Sequence, residues 1–217
     1  MTRMITDLGD AAFLLPSAVI FALHLLLSRS ARVAGIWLSA LLLCAIFTIW
    51  AKLIFRVCGD EVLGLQIVSP SGHAALSTTF YVCGALVMSA DREWRTRTSL
   101  MLAGVLVVVA IGASRVRIGA HTPAEVFAGW AIGLCCIAWF AALFYVRKTQ
   151  ALPWAGLAGV IIAVSVLMHG RHIGIESRLA QWVETLQLAG YGELIACPVG
   201  TAPRLGEVPR AAMPDGS

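Results

Sequence analysis

Two short stretches of the chain combine imidazole, basic and small polar groups, and each lies where an apolar run begins. The first reads P-S-G-H over residues 70–73, and the second reads S-R-V-R-I-G-A-H-T-P-A-E over residues 114–125. A helix that begins at such a point presents unpaired N–H groups and the positive end of its dipole, which together favour an anion. Ser71 is a good N-cap, and Gly72 lets a ligand approach the backbone closely. Arg115 adds a planar guanidinium that suits phosphate oxygens.

His73 and His121 supply groups that could act on a bound phosphate. A neutral imidazole is a competent nucleophile near pH 7, a second imidazole can deliver a proton, and fixed cations stabilise charge on the transferring group. Ionisable groups are costly inside a membrane unless they are paired or face a polar cavity, which also favours a functional role. The two stretches therefore indicate a phosphate site.

The composition is that of a membrane protein. Of the 217 residues, 59% are hydrophobic and 13% are charged, and the mean hydropathy is +0.84. Soluble domains carry about 25% charged residues. The net charge of +4 comes from basic residues scattered between apolar runs, so no nucleic-acid partner is expected. The cysteines lack paired zinc-ligand spacing, so no structural metal is expected either.

Six runs are long and apolar enough to predict membrane-spanning helices, which need roughly 20 residues each. The predicted fold is therefore all-α, a polytopic membrane helix bundle. A cleaved signal peptide is not expected, because Asp7 and Asp10 stand where a basic region should precede the first run. Residues 171–217 form a polar C-terminal tail in which Ile175–Leu188 favours a short amphipathic helix. The six runs are Ala11–Leu27, Ala34–Phe55, His73–Ala90, Ser99–Ala113, Pro123–Val146 and Ala151–Met168.

The basic residues predict the orientation of this bundle. Cationic short loops stay cytoplasmic. The cations of the even-numbered connections all lie beside the candidate chemistry, so we assign them to a site and place the odd connections inside. Both termini and the P-S-G-H loop are then expected on the outer side. The cations of the odd connections are Arg29, Arg32, Arg92, Arg95, Arg97, Arg147 and Lys148.

P-S-G-H followed by S-R-x5-H-x3-acid resembles the second and third motifs of the type 2 phosphatidic acid phosphatase (PAP2) superfamily, here of the bacterial membrane type. The resemblance covers about Lys52 to Trp130, and it implies a PAP2-like transmembrane phosphatase domain over residues 1–170. It further implies that His121 is the nucleophile and that His73 is the general acid. Glu125, where the family usually has Asp, would orient His121. The groups expected to hold phosphate oxygens are Ser71, Gly72 and Arg115.

The first motif of the family, K-x6-R-P, is incomplete in this chain. Lys52 is well placed, but Gly59 and Asp60 stand where the motif has Arg-Pro. Arg56 is the nearest substitute, because a residue four positions after Lys52 shares its helix face if the helix continues that far. We predict both cations as phosphate ligands. This departure from the first motif affects the prediction of the substrate more than that of the reaction, because the acid and nucleophile positions are intact.

The resemblance implies a metal-independent phosphatase that hydrolyses a lipid phosphate or diphosphate through a phosphohistidine, with no cofactor. Its partners would be the lipid substrate and membrane lipids, and its location a bacterial inner membrane with the site facing the periplasm. A phosphotransferase of the same fold is an alternative, as is a non-catalytic lipid-binding or transport protein. The sequence leaves the oligomeric state open.

Several site residues also have purely local interpretations. Thr122, Pro123 and Glu125 match a capping box with Pro at the first helical position. A carboxylate used in that way would compete with its role at His121. Ser71 could act as a helix cap alone. Arg117 is expected to point away from Arg115. On the outer side, Cys58 and Cys197 could pair if the compartment is oxidising.

Overall fold

A computed structural model describes residues 2–27, 31–58 and 69–144, together with the isolated positions 181 and 185. The described segments fold into helices. They are α1 (Thr2–Asp7), α2 (Ala11–Leu27), α3 (Ala31–Cys58), α4 (Gly72–Met88), α5 (Trp94–Arg117) and α6 (Pro123–Phe144).

The predicted helix bundle is confirmed for the first five spans. Three helices, α3, α5 and α6, are long and apolar enough to cross a membrane, and α2 and α4 are shorter apolar helices. The helix α3 continues through both Lys52 and Arg56, as the first-motif argument requires. The sixth predicted span and the predicted domain boundary at residue 170 lie outside the described residues, as does the tail apart from positions 181 and 185.

The central helix is α4, which packs against α2, α3, α5 and α6. Its contact with α6 is close because small residues line it. A Cβ built on Gly133 would lie 2.6 Å from Thr78 Cβ, and one built on Gly129 would collide with the carbonyl oxygen of Ser71. Glycines four apart let two membrane helices approach to backbone contact. This packing holds the first turn of α6 against the first turn of α4.

The N-terminal residues lie at the same end of the bundle. The Thr6 and Ser114 hydroxyls form a hydrogen bond of 2.7 Å, and the Tyr81 hydroxyl donates to the Leu8 carbonyl at 2.9 Å. The short helix α1, which hydropathy does not predict, thereby packs beside the last turns of α5. Since α4 runs away from this end and α5 returns to it, the connection at residues 89–93 lies at the opposite end.

Candidate active site

The Glu125 carboxylate joins three segments of the chain. Its Oε2 lies 2.9 Å from His121 Nδ1 and accepts the Thr122 N–H at 3.0 Å, while its Oε1 accepts the Ser69 N–H at 2.9 Å. The Thr122 hydroxyl accepts the Glu125 N–H at 3.3 Å, which completes the capping box at the start of α6. The expected competition between capping and holding His121 is therefore wrong. One carboxylate has enough lone pairs for both tasks.

The turn between α5 and α6 sets the spacing of the third motif. Gly119, at φ +69°, follows the last residues of α5 in the left-handed region that glycine adopts without strain. The Gly119 N–H bonds the Val116 carbonyl at 3.0 Å, and the Ala120 N–H bonds the Arg115 carbonyl at 3.1 Å. These two bonds are those of a Schellman motif. The His121 N–H also reaches the Arg115 carbonyl, at 3.4 Å, so the helix end itself brings the arginine and the histidine together.

The P-S-G-H loop is fixed against both α3 and α6. The Ser71 N–H donates to the Glu125 backbone carbonyl at 3.0 Å, and the Ser71 hydroxyl caps α4 by accepting the Ala74 N–H at 3.4 Å. Lys52 Nζ donates to the Ser69 hydroxyl at 3.1 Å. A Cβ built on Gly72 would lie 3.6 Å from Lys52 Cε, so the lysine side chain passes directly beside the glycine. A buried cation thus lies at the first turn of α4.

His73 has a carboxylate neighbour that the motifs do not predict. Asp10 Oδ2 lies 3.3 Å from His73 Nε2, and Asp10 Oδ1 accepts the Ala12 N–H at 2.8 Å. The second contact is an N-cap of α2, since it reaches the second helical residue. The His73 side chain is 19% exposed and that of Asp10 is 8% exposed. The two candidate catalytic imidazoles therefore each lie beside a buried carboxylate.

The structure brings most of the predicted site residues to one end of the bundle. The ends of α4 and α6 are joined at Ser71 and Glu125, which puts both imidazoles on the same side. Arg115 is buried and Arg117 is exposed, as expected from their spacing. Three predicted features lie outside the described part of the structure. They are the side chain of Arg56, the Cys58–Cys197 pair, and the segment 59–68, in which Gly59 and Asp60 replace the Arg-Pro of the first motif. The predicted residues found at this end are Lys52, Ser71, Gly72, His73, Arg115, His121 and Glu125.

Sequence reasoning missed Asp10 and Ser69. An Asp directly before an apolar run is a helix-start signal, which could have identified Asp10 as the cap of α2. Its position beside His73, 63 residues later in the chain, is a tertiary contact that no local spacing encodes. Ser69 takes part through its backbone N–H and its hydroxyl, and it precedes the recognisable motif by one residue.

A comparison with protein families bears on the two motifs. The family model of the PAP2 superfamily matches residues 59–150, which confirms the resemblance predicted from the motifs. That superfamily generally comprises phosphatases, so the match indicates phosphatase-type activity.

A relative in Klebsiella pneumoniae, described as an uncharacterized 22.5 kDa protein in the cps region, is 29% identical over 193 residues. The alignment covers 82% of this chain and 88% of the relative. No solved structure matched the chain.

Proposed function

We propose that the protein is a metal-independent membrane phosphatase that hydrolyses a lipid phosphate or diphosphate through a phosphohistidine at the non-cytoplasmic face. The observation that carries the proposal is the His121–Glu125 contact of 2.9 Å, made where α4 and α6 begin. A carboxylate on Nδ1 holds the imidazole in the tautomer whose Nε2 lone pair can attack, and it offsets the positive charge that develops.

The reaction would proceed in two steps. Nε2 of His121 forms a bond to phosphorus while the bond from phosphorus to the leaving oxygen breaks, and His73 gives that oxygen a proton. Water then attacks the phosphohistidine, His73 takes the proton of the water, and the P–N bond breaks to release phosphate. The same residue acts as acid and then as base, so each cycle returns both imidazoles to their starting state.

Fixed cations and helix ends would stabilise the phosphoryl charge. Lys52 and Arg115 are buried cations at this end of the bundle, and Ser71 with Gly72 begins α4, whose N-terminal N–H groups favour an anion. We also assign Arg56 to this group because it follows Lys52 by four residues on α3. The apolar helices support a substrate with a hydrocarbon tail, since such a tail can remain among them while its headgroup enters the polar end.

The proposal is tested by phosphate release from the purified full chain in detergent. The panel of substrates contains phosphatidic acid, phosphatidylglycerophosphate, a prenyl diphosphate and lipid A. We expect His121→Ala to lower turnover by at least about 10³-fold, as loss of a covalent nucleophile does elsewhere, while the protein remains folded. Turnover retained by this variant would exclude His121 as the nucleophile.

Two further arms of the same assay address the mechanism. EDTA should leave turnover unchanged, and a loss that added metal restores would contradict metal independence. Product analysis with labelled lipid and an added alcohol separates hydrolysis from phosphotransfer, because a transferase would move the phosphoryl group to the alcohol. We expect inorganic phosphate as the main product.

A further inference from the structure

The segment from Thr6 to Asp10 is held firmly against the first turn of α4. It is tied to α5 and to α4 by the Thr6–Ser114 and Tyr81–Leu8 hydrogen bonds. At Gly9 the approach is so close that a Cβ would lie 2.6 Å from Ile111 Cγ2 and 3.5 Å from His73 Cδ2. Asp10 is therefore fixed by its neighbours on both sides.

The two oxygens of the Asp10 carboxylate have different partners. Oδ1 caps α2 through the Ala12 N–H, and Oδ2 faces His73 Nε2 at 3.3 Å. A cap needs one side-chain oxygen, and Ser, Thr or Asn would supply it equally well. The second oxygen, and the negative charge, are what an imidazole uses when a neighbouring carboxylate fixes its ring orientation and its tautomer.

We propose that Asp10 is a positioning residue for His73. It holds Nε2–H on its carboxylate, so that Nδ1 is the nitrogen that delivers a proton to the leaving oxygen and recovers one from water. No bond to Asp10 forms or breaks, and its proton content stays constant through the cycle. This inference rests on the proposed function, because a general acid matters only if a phosphate ester is cleaved.

The substitution Asp10→Asn separates the positioning role from the cap. The Asn oxygen can still accept the Ala12 N–H, but its amino group then faces Nε2 and favours the opposite tautomer of His73. Asp10→Ser likewise keeps a capping oxygen and removes the carboxylate. Glu93→Gln is the control, since it removes one carboxylate charge at the opposite end of the bundle.

The activity test compares two leaving groups in the purified full chain. A lipid alkoxide needs a proton in order to depart, whereas p-nitrophenolate departs readily without one. Loss of general-acid catalysis costs about 10²- to 10⁴-fold, so we expect Asp10→Asn and Asp10→Ser to lower kcat on phosphatidic acid by about tenfold or more. On p-nitrophenyl phosphate the loss should be several times smaller, and KM should change little on both. Glu93→Gln should behave as the wild type.

A double variant that combines Asp10→Asn with His73→Ala gives a second test of the positioning role. Once the imidazole is absent, Asp10→Asn should cause no further loss of kcat, because a positioning residue acts through its partner. Equal losses on the two substrates, or full additivity with His73→Ala, would overturn the inference and leave Asp10 as a cap of α2.

A readout without turnover distinguishes failure of this inference from failure of the proposed function. In ¹⁵N-histidine-labelled protein, the His73 signals are assigned by their absence in His73→Ala. At a pH at which His73 is neutral, the wild-type imidazole should carry its single ring hydrogen on Nε2. Asp10→Asn should shift it toward Nδ1. An unchanged ¹⁵N pattern would contradict the positioning role even in an active enzyme. The expected pattern in a chain that releases no phosphate would instead count against the proposed function alone.

Discussion

At the scale of single residues, the side chain of Glu125 accepts hydrogen bonds from donors in different parts of the chain. The Ser69 N–H donates to Oε1 of the carboxylate, and the Thr122 N–H donates to Oε2. His121 Nδ1 also contacts Oε2. Buried donors that lose their acceptors cost the folded state about 1–3 kcal/mol each. The carboxylate is consequently expected to serve both stability and catalysis.

Glu125→Gln tests this dual role. A Gln side chain has one oxygen, so it must present its amino group either to the Ser69 N–H or to the Thr122 N–H and His121. We expect kcat to fall by roughly 10²- to 10⁴-fold, as when the acid of a histidine–carboxylate pair is made neutral, together with a lower melting temperature. Glu93→Gln is the control, because Glu93 precedes α5 without a side-chain cap bond. Wild-type kcat in Glu125→Gln would remove the carboxylate from the mechanism.

Arg115 and Arg117 form a matched pair two residues apart. Arg115 is 8% exposed and its carbonyl accepts the His121 N–H, whereas Arg117 lies on the exposed side of α5. We expect Arg115→Ala to lower kcat/KM by roughly 100-fold, since removing one fixed donor from a transition state costs that much. Arg117→Ala should remain within about twofold of the wild type, as expected for a surface charge. Similar losses in both would mean that general surface charge, rather than a fixed ligand, supports turnover.

At the scale of elements, the end of α5 depends on the left-handed backbone of Gly119. No atom of the described residues lies within 4 Å of a Cβ built there, so an alanine would meet backbone strain without a clash among them. We expect Gly119→Ala to lower the free energy of unfolding by about 1 kcal/mol and to reduce kcat, because the same turn places His121.

Gly35→Ala is the control for that substitution. Gly35 lies within α3 and also has open space around its Cβ position, but its backbone is helical. Alanine should therefore be neutral or stabilising there by roughly 0.5–1 kcal/mol. Thermal unfolding in detergent gives both values, and equal shifts in the two variants would argue against the Schellman turn as the cause.

The elements also show what sequence reasoning can and cannot supply. Apolar runs located the five described spans, but α5 extends from Trp94 to Arg117 rather than from Ser99 to Ala113. Its polar first and last turns stay helical because backbone hydrogen bonding continues past the apolar run. A prediction based on hydropathy leaves those polar turns out. The short α1 is likewise invisible to hydropathy. It is held by tertiary contacts from Thr6 and Leu8.

At the site, too, local sequence patterns predict some contacts and miss those that depend on tertiary packing. The motifs place His73, His121 and Glu125 correctly at one end of the bundle, because their spacing is set by local turns and helix starts. Asp10 could not be found in that way, since its contact with His73 depends on how α2 packs against α4.

At the scale of the whole molecule, the site and the connection at residues 89–93 lie at opposite ends of the bundle. The cation pattern predicts the site end on the non-cytoplasmic side of the membrane. Ala120 at the site end and Glu93 at the other end are both exposed. We expect a membrane-impermeant maleimide added to intact cells to label Ala120→Cys above the parent chain and Glu93→Cys only after lysis. The reverse pattern would place the chemistry on the cytoplasmic face.

The attachment of the P-S-G-H loop to Glu125 has a consequence for biogenesis. The ribosome delivers α4 to the membrane well before α6, so the Ser69 and Ser71 amides must wait for acceptors that are synthesised about fifty residues later. A nascent chain arrested after α5 would lack the α6 partners of those amides and of the small-residue face of α4. Assembly of the site is thus coupled to the insertion of α6.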